Sequence, residues 1–236
     1  MGSPNVRKPG IMLEELGLDY TLHHVAVFRG DQFEPSFLAL NPLGKVPVLI
    51  DHARGNGTPI YESGAILIYL AETYGALLPA TGTGRYEVLE WLMVQKAGIG
   101  PMFGQHNHFQ LLGPRADPYA AARYRTQAET LYRQLDERLA TRNWIAGGAY
   151  SIADIAIFPW AGYLEQHGFA PAAHPNLLRW RDAIAARPAV ARMQQRFGAA
   201  FSEQNTRRNA TPEQLDRFFA RPPTNPPADF SAVTKA

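Results

Sequence analysis

Apolar positions along the chain change period about one third of the way through. From Val6 to Leu16 they recur as on one face of a helix, after the turn-forming Ser3-Pro4-Asn5 and before the helix-stopping Gly17. Pro9-Gly10 fits such a helix only if it lies in the first turn. Tyr20 to Val27 reads as a strand and Val46 to Ile50 as another, with Gly55-Asn56-Gly57 as the hairpin turn into a short strand near Ile60. Glu62-Ser63-Gly64 then opens an apolar helix to about Tyr74. The predicted order of this first part is helix, strand, strand, strand, helix.

Beyond Leu77 the segment from Pro79 to Gly84 has linker composition, and the helical period takes over. Tyr124, Ala128, Leu131, Leu135 and Leu139 make one buried stripe on a long helix starting near Pro118, which predicts a bundle. Ser151-Ile152-Ala153-Asp154 has the form of a capping box before a core helix containing Ile152, Ile155, Ala156 and Trp160. From about Asn205 onward, Pro222, Pro223, Pro226 and Pro227 predict an extended tail, docked by a weak helix over Pro212 to Phe219. The expected domains are residues 1–79, an all-helical 85–204 and a tail over 205–236.

Composition narrows the chemistry. With 46% hydrophobic residues in 236, the chain can bury a core. It has neither a long apolar run nor a basic-then-apolar leader pattern, so no membrane partner and a cytoplasmic location are expected. The net charge of +2 is matched by residues 206–236 alone, where Arg207, Arg208, Arg217, Arg221 and Lys235 face Glu213, Asp216 and Asp229. The body is therefore neutral, and no nucleic-acid partner is expected. The chain has no cysteine, so it has neither disulfides nor a thiol nucleophile of its own. Any thiol chemistry must use a sulfur brought by a ligand.

A mixed helix and strand segment followed by a helical one resembles the glutathione transferase superfamily, and the motifs sharpen the likeness. Asn41-Pro42-Leu43-Gly44-Lys45-Val46-Pro47-Val48-Leu49 resembles the family's loop into its third strand, and Glu62-Ser63-Gly64-Ala65-Ile66 its carboxylate-gripping helix start. Ser151 to Asp154 occupies the place of the family's bundle cap. Ser3-Pro4-Asn5, Gly30-Asp31-Gln32-Phe33, Gly100 to Phe109 and Tyr119 to Tyr124 are most similar to the bacterial Nu class. These are disulfide-bond oxidoreductases related to the yeast nitrogen-regulatory prion protein. The resemblance implies an α/β thioredoxin-like N-terminal domain and an all-α C-terminal bundle. It also implies a strand just before Ser3, where this sequence has only Met1-Gly2, and without that strand its neighbours would lack ladder partners.

What the resemblance implies about chemistry can be weighed in energies. A free thiol has a pKa of about 8.5, and lowering it by two units takes about 2.7 kcal/mol. A hydrogen bond to a charged group supplies about 1.5–3 kcal/mol and a helix N-terminus about 0.3–1 kcal/mol. By resemblance, Asn5 is the main donor to the glutathione sulfur and Ser3 its assistant; from pattern alone either residue could simply cap the helix. Val46, before a proline that the family holds cis, would pair with the cysteinyl unit through its backbone, whereas Pro47 could otherwise mark a strand edge. Glu62 and Ser63 would take the γ-glutamyl ammonium and carboxylate. Gln32 and Lys45 would reach the glycyl end, and Arg123 would reach the site across a dimer interface.

Met102, Phe103, His106, His108, Phe109 and Trp160 are candidate walls of a second-substrate pocket, or plain core. His106 and His108 have the spacing of a metal pair, yet no third ligand is apparent, and no metal is expected. The resulting expectation is a homodimeric enzyme with glutathione as co-substrate, acting as a transferase on a small electrophile or as a disulfide reductase. Because no mixed disulfide with the protein can form, the reductase would have to hold two glutathione molecules, or one glutathione disulfide. The alternative is a non-catalytic glutathione-binding regulatory or stress protein on the same fold.

Overall fold

The computed structural model describes residues 3–112, 117–200 and 206–220. Helix α1 (Pro4–Glu15) starts where the turn predicts, with the Ser3 hydroxyl accepting the Asn5 N–H at 3.3 Å. Pro9 lies well inside this helix and not in its first turn, so the Asn5 carbonyl loses its regular N–H donor four residues on. Gly10 lets α1 lie close to a later helix, since a Cβ there would meet the Phe197 ring at 2.6 Å.

The strand expected over Tyr20 to Val27 does not form. Its alternating pattern suits extended backbone, but an extended segment becomes a strand only beside a ladder partner, and among the described residues none pairs with it. A 3₁₀ turn at Asp31–Phe33 and the short α2 (Pro35–Leu38) follow. The sheet described has two antiparallel strands, β1 (Val48–Ile50) and β2 (Pro59–Tyr61), in the register Val48 to Tyr61 and Ile50 to Pro59. Asp51 ties the intervening loop: Oδ1 accepts the Ala53 and Arg54 amides at 2.8 and 2.9 Å, and Oδ2 accepts the Tyr69 hydroxyl at 2.9 Å. Asn56 and Gly57 take the left-handed φ values of 51° and 73° that the Asn-Gly pair predicted. Helix α3 (Ser63–Tyr74) closes this part and ends at Gly75, φ 66°.

The remainder is helical: α4 (Thr83–Val94), a π-turn at Gln95–Ile99, α5 (Gly100–Asn107), a π-turn at His108–Leu112, α6 (Pro118–Leu139), α7 (Ile152–Ala161), α8 (Pro175–Ala185), α9 (Pro188–Ala199) and α10 (Pro212–Phe218). All ten residues of α7 are buried, making it the hub. Its capping box is formed as predicted, and the Asp154 carboxylate also accepts the Ile145 amide at 2.9 Å and the Trp180 indole N–H at 2.8 Å. On α6 the buried stripe includes Tyr132, which the spacing of Ala128, Leu135 and Leu139 had left aside.

One hydrophobic core joins Ile11, Met12, Ile66 and Leu67 to Ile155, Ile157 and Trp180. Helix α1 packs on α3, α7 and α9, so its first turns sit at the seam between sheet part and bundle. Within the tail the helix expected over Pro212 to Phe219 forms as the box-capped α10, preceded by a 3₁₀ turn at Arg207–Asn209 where extended chain was expected; the prolines from Pro222 onward lie outside the described residues.

Candidate functional site

At that seam is a cleft of about 220 Å³ lined by Ser3, Asn5, Gln32, Lys45, Val46, Pro47, Glu62 and Ser63, together with Lys96 and Phe218. Eight sequence-predicted residues from four separate segments thus converge. A wider groove of about 380 Å³ lies between α6 and the first π-turn, lined by Ala97, Gly98, Met102 and Leu131 among others, and offers few polar groups.

The cleft is built by local structure. Buried Asn41 bends its loop: the side-chain amide donates to the Lys45 carbonyl at 2.7 Å and accepts the Leu43 N–H at 3.0 Å, presenting Lys45 and Val46 to the cleft. The Val46–Pro47 bond is cis. Glu62 holds φ 68°, a conformation costly for a residue with a side chain, and such strain clusters at ligand sites. It turns the chain into α3, whose first amides carry no side-chain cap. These amides and the helix dipole suit an anion. Glu62 also pairs with Lys96 at 2.5 Å.

Gln32 is buried, and its Oε1 has no hydrogen-bond partner, leaving an acceptor for a ligand N–H. Asn5 Oδ1 accepts from Lys8 Nζ at 2.9 Å and from the Trp160 indole at 3.4 Å. That occupancy leaves the Asn5 N–H groups as its free donors. The Ser3 hydroxyl, although it caps α1, still has its hydrogen to donate.

The other candidates are dispersed. Phe103 and His106 are fully buried and do not line the cleft: Phe103 stacks on Tyr132, and His106 packs against His167. The period of α5 turns both inward, Phe103 onto α6 and His106 onto the segment that follows α7, which is the core alternative for these two positions. Met102 lines the wider groove, and Trp160, which does not line the cleft, donates its indole N–H to Asn5. His108 and Phe109 sit on the second π-turn, against Phe219 and Tyr124 respectively. Arg123 is exposed on α6, outside the cleft. Among the described residues no group of three His, Asp or Glu side chains is placed to hold a metal.

Sequence reasoning missed Lys8, Gln95, Lys96 and Phe218. A signal existed for Lys8: it lies three and four residues before Ile11 and Met12, on their buried face. Gln95 and Lys96 reach the seam from a π-turn, which no period announces.

Family models for the glutathione S-transferase N-terminal domain and C-terminal domain match residues 2–73 and 89–188. The chain belongs to the glutathione S-transferase family. It is 40% identical over 191 residues to the disulfide-bond oxidoreductase YfcG of Escherichia coli, covering 80% of this chain and 89% of that protein. Among solved structures, a glutathione transferase of Burkholderia graminis with two glutathione molecules bound per subunit is 44% identical, with TM-score 0.76 over 81% of this chain and 83% of that one. A Pseudomonas putida glutathione transferase holding one glutathione disulfide per subunit is 40% identical, with TM-score 0.75 over 81% and 86%.

Proposed function

We propose that this protein is a glutathione-dependent enzyme that reduces small disulfides through glutathione bound in the seam cleft. The observation that carries the reading is the convergence, in a cysteine-free chain, of donor side chains and a bare helix start on one cleft. Asn5 N–H groups and the Ser3 hydroxyl face the sulfur, the Val46 backbone takes the cysteinyl unit, and Gln32 Oε1 and Lys45 take the glycyl end. Ser63 with the α3 amides receives the γ-glutamyl carboxylate, and Glu62 its ammonium.

The bound thiolate attacks one sulfur of the substrate disulfide, forming a glutathione mixed disulfide and releasing one thiolate. A second glutathione thiolate attacks the glutathionyl sulfur, giving glutathione disulfide and the second thiolate product. The relatives that carry two glutathione molecules or glutathione disulfide support a site roomy enough for this exchange. Conjugation to an electrophile would use the same activated sulfur.

A homodimer is part of the proposal, with Arg123 reaching the partner's cleft. The exposed apolar residues Tyr86, Met93 and Val94 on α4 and Tyr119 on α6 support an interface between copies.

Steady-state reduction of a small disulfide by glutathione tests the reading. Turnover in wild type that falls at least tenfold in Asn5→Ala is expected. Glutathione binding without turnover would leave a binding protein and reject the enzyme.

A further inference from the structure

Lys8 is completely buried beneath the cleft. Its Nζ lies 2.7 Å from Gln95 Oε1, 2.9 Å from Asn5 Oδ1 and 3.4 Å from Ser63 Oγ. Two of these partners are amide oxygens, which only accept, whereas the Ser63 hydroxyl can accept or donate. Gly100 preserves the arrangement, since a Cβ there would stand 2.9 Å from Gln95 Nε2 and 3.2 Å from the Gln95 carbonyl oxygen.

The two protonation states of Lys8 therefore present different cleft floors. The ammonium donates to all three oxygens, which leaves the Ser63 hydrogen free to point at a ligand. The neutral amine donates only to Asn5 and Gln95 and turns its lone pair to Ser63, which then directs its hydrogen downward, away from the ligand. In either state Asn5 Oδ1 stays occupied and its N–H groups face outward.

We infer that Lys8 is a positioning residue of this cleft, which takes up a proton from solvent as an anionic ligand binds and thereby frees Ser63 to donate to it. The inference rests on the glutathione reading above and deepens it. Burial first, and the like charge of Lys96 second, lower the Lys8 ammonium to about 6, with Glu62 pulling the other way. The amine thus prevails at neutral pH in the empty site, and an arriving carboxylate or thiolate shifts the balance to the ammonium.

The neighbours are few. Helix α3 presents Ser63 with Glu62 at its cap, the π-turn presents Gln95 and Lys96, and α7 presents the uncharged Trp160. Arg192 and Arg196 of α9 are engaged by Glu14, further along α1.

Calorimetric titration with S-hexylglutathione, which has no thiol proton to lose, decides the matter when run at neutral pH in buffers of different ionisation enthalpy. Wild type is expected to take up about one proton per site bound. Lys8→Met should take up none and bind about tenfold more weakly. Gln95→Glu, whose carboxylate would hold Lys8 charged beforehand, should bind without uptake. The wild type and Gln95→Glu decide the question even if Lys8→Met does not fold. Wild-type binding with no proton uptake, or uptake unchanged in the variants, overturns the inference alone. Failure of wild type to bind at all overturns the glutathione reading itself.

Discussion

Asn5 carries the sharpest consequence at the scale of single residues. With Oδ1 held by Lys8 and Trp160, only its N–H groups can meet a thiolate. Asn5→Ala should raise the pKa of bound glutathione by about one to two units, the worth of a charge-assisted hydrogen bond of about 1.5–3 kcal/mol. Asn5→Asp, equal in size but without a donor, should do at least as much harm. Ser3→Ala should move the thiolate less and cost about 1 kcal/mol of stability as a lost cap. Ser63→Ala should weaken glutathione binding by about 1–3 kcal/mol in titration calorimetry, and equal affinities would remove Ser63 from the site. The cleft-lining residues Gln32, Val46 and Glu62 were legible because they lie in the short motifs that carry the family resemblance. Lys8 was not, because a lysine on a helix is ordinarily solvated, and only its register with Ile11 and Met12 betrays burial.

At the scale of elements, legibility followed whether local chemistry suffices. The α7 capping box and the Asn56-Gly57 turn are fixed by neighbours in sequence and stand where predicted. The segment over Tyr20 to Val27 depends on a partner strand, which a local pattern cannot supply. Helix α10 was foreseen only as a weak dock, yet Phe218 lines the cleft, its ring 4.6 Å from that of Phe28, and Arg217 stacks over Phe33 at 4.7 Å. Phe218→Ala should therefore raise KM for the disulfide several-fold, about 1 kcal/mol, with little change in melting temperature. An unchanged KM in steady-state kinetics would take α10 out of substrate binding. Asp154→Ala should be far more damaging, because it strands the buried Ile145 amide and Trp180 indole at about 1–3 kcal/mol each, read as a lower urea midpoint.

For the whole molecule, the buried His167 ties stability to pH. Burial, with the neighbouring His106, lowers His167 to about 3, while its Nδ1 meets the Tyr132 hydroxyl at 2.8 Å. The unfolded chain protonates this histidine near its ordinary value of about 6.5, so stability is full above that pH. It is lost as pH falls toward 3, at about 1.4 kcal/mol per pH unit for one such group. Urea midpoints between pH about 6 and pH about 4 should follow that slope, and His167→Gln should flatten it. Between molecules, Arg123→Ala should raise the glutathione KM without loss of helix, and a fully active monomer in sedimentation would contradict its role. The central claim concerns the sulfur that this cysteine-free chain must borrow. Ultraviolet thiolate absorbance of bound glutathione, followed against pH, tests it most directly. A transition one to two units below the free value of about 8.5, restored upward in Asn5→Ala, is the expected result. A bound thiol that titrates as in free solution would contradict the account.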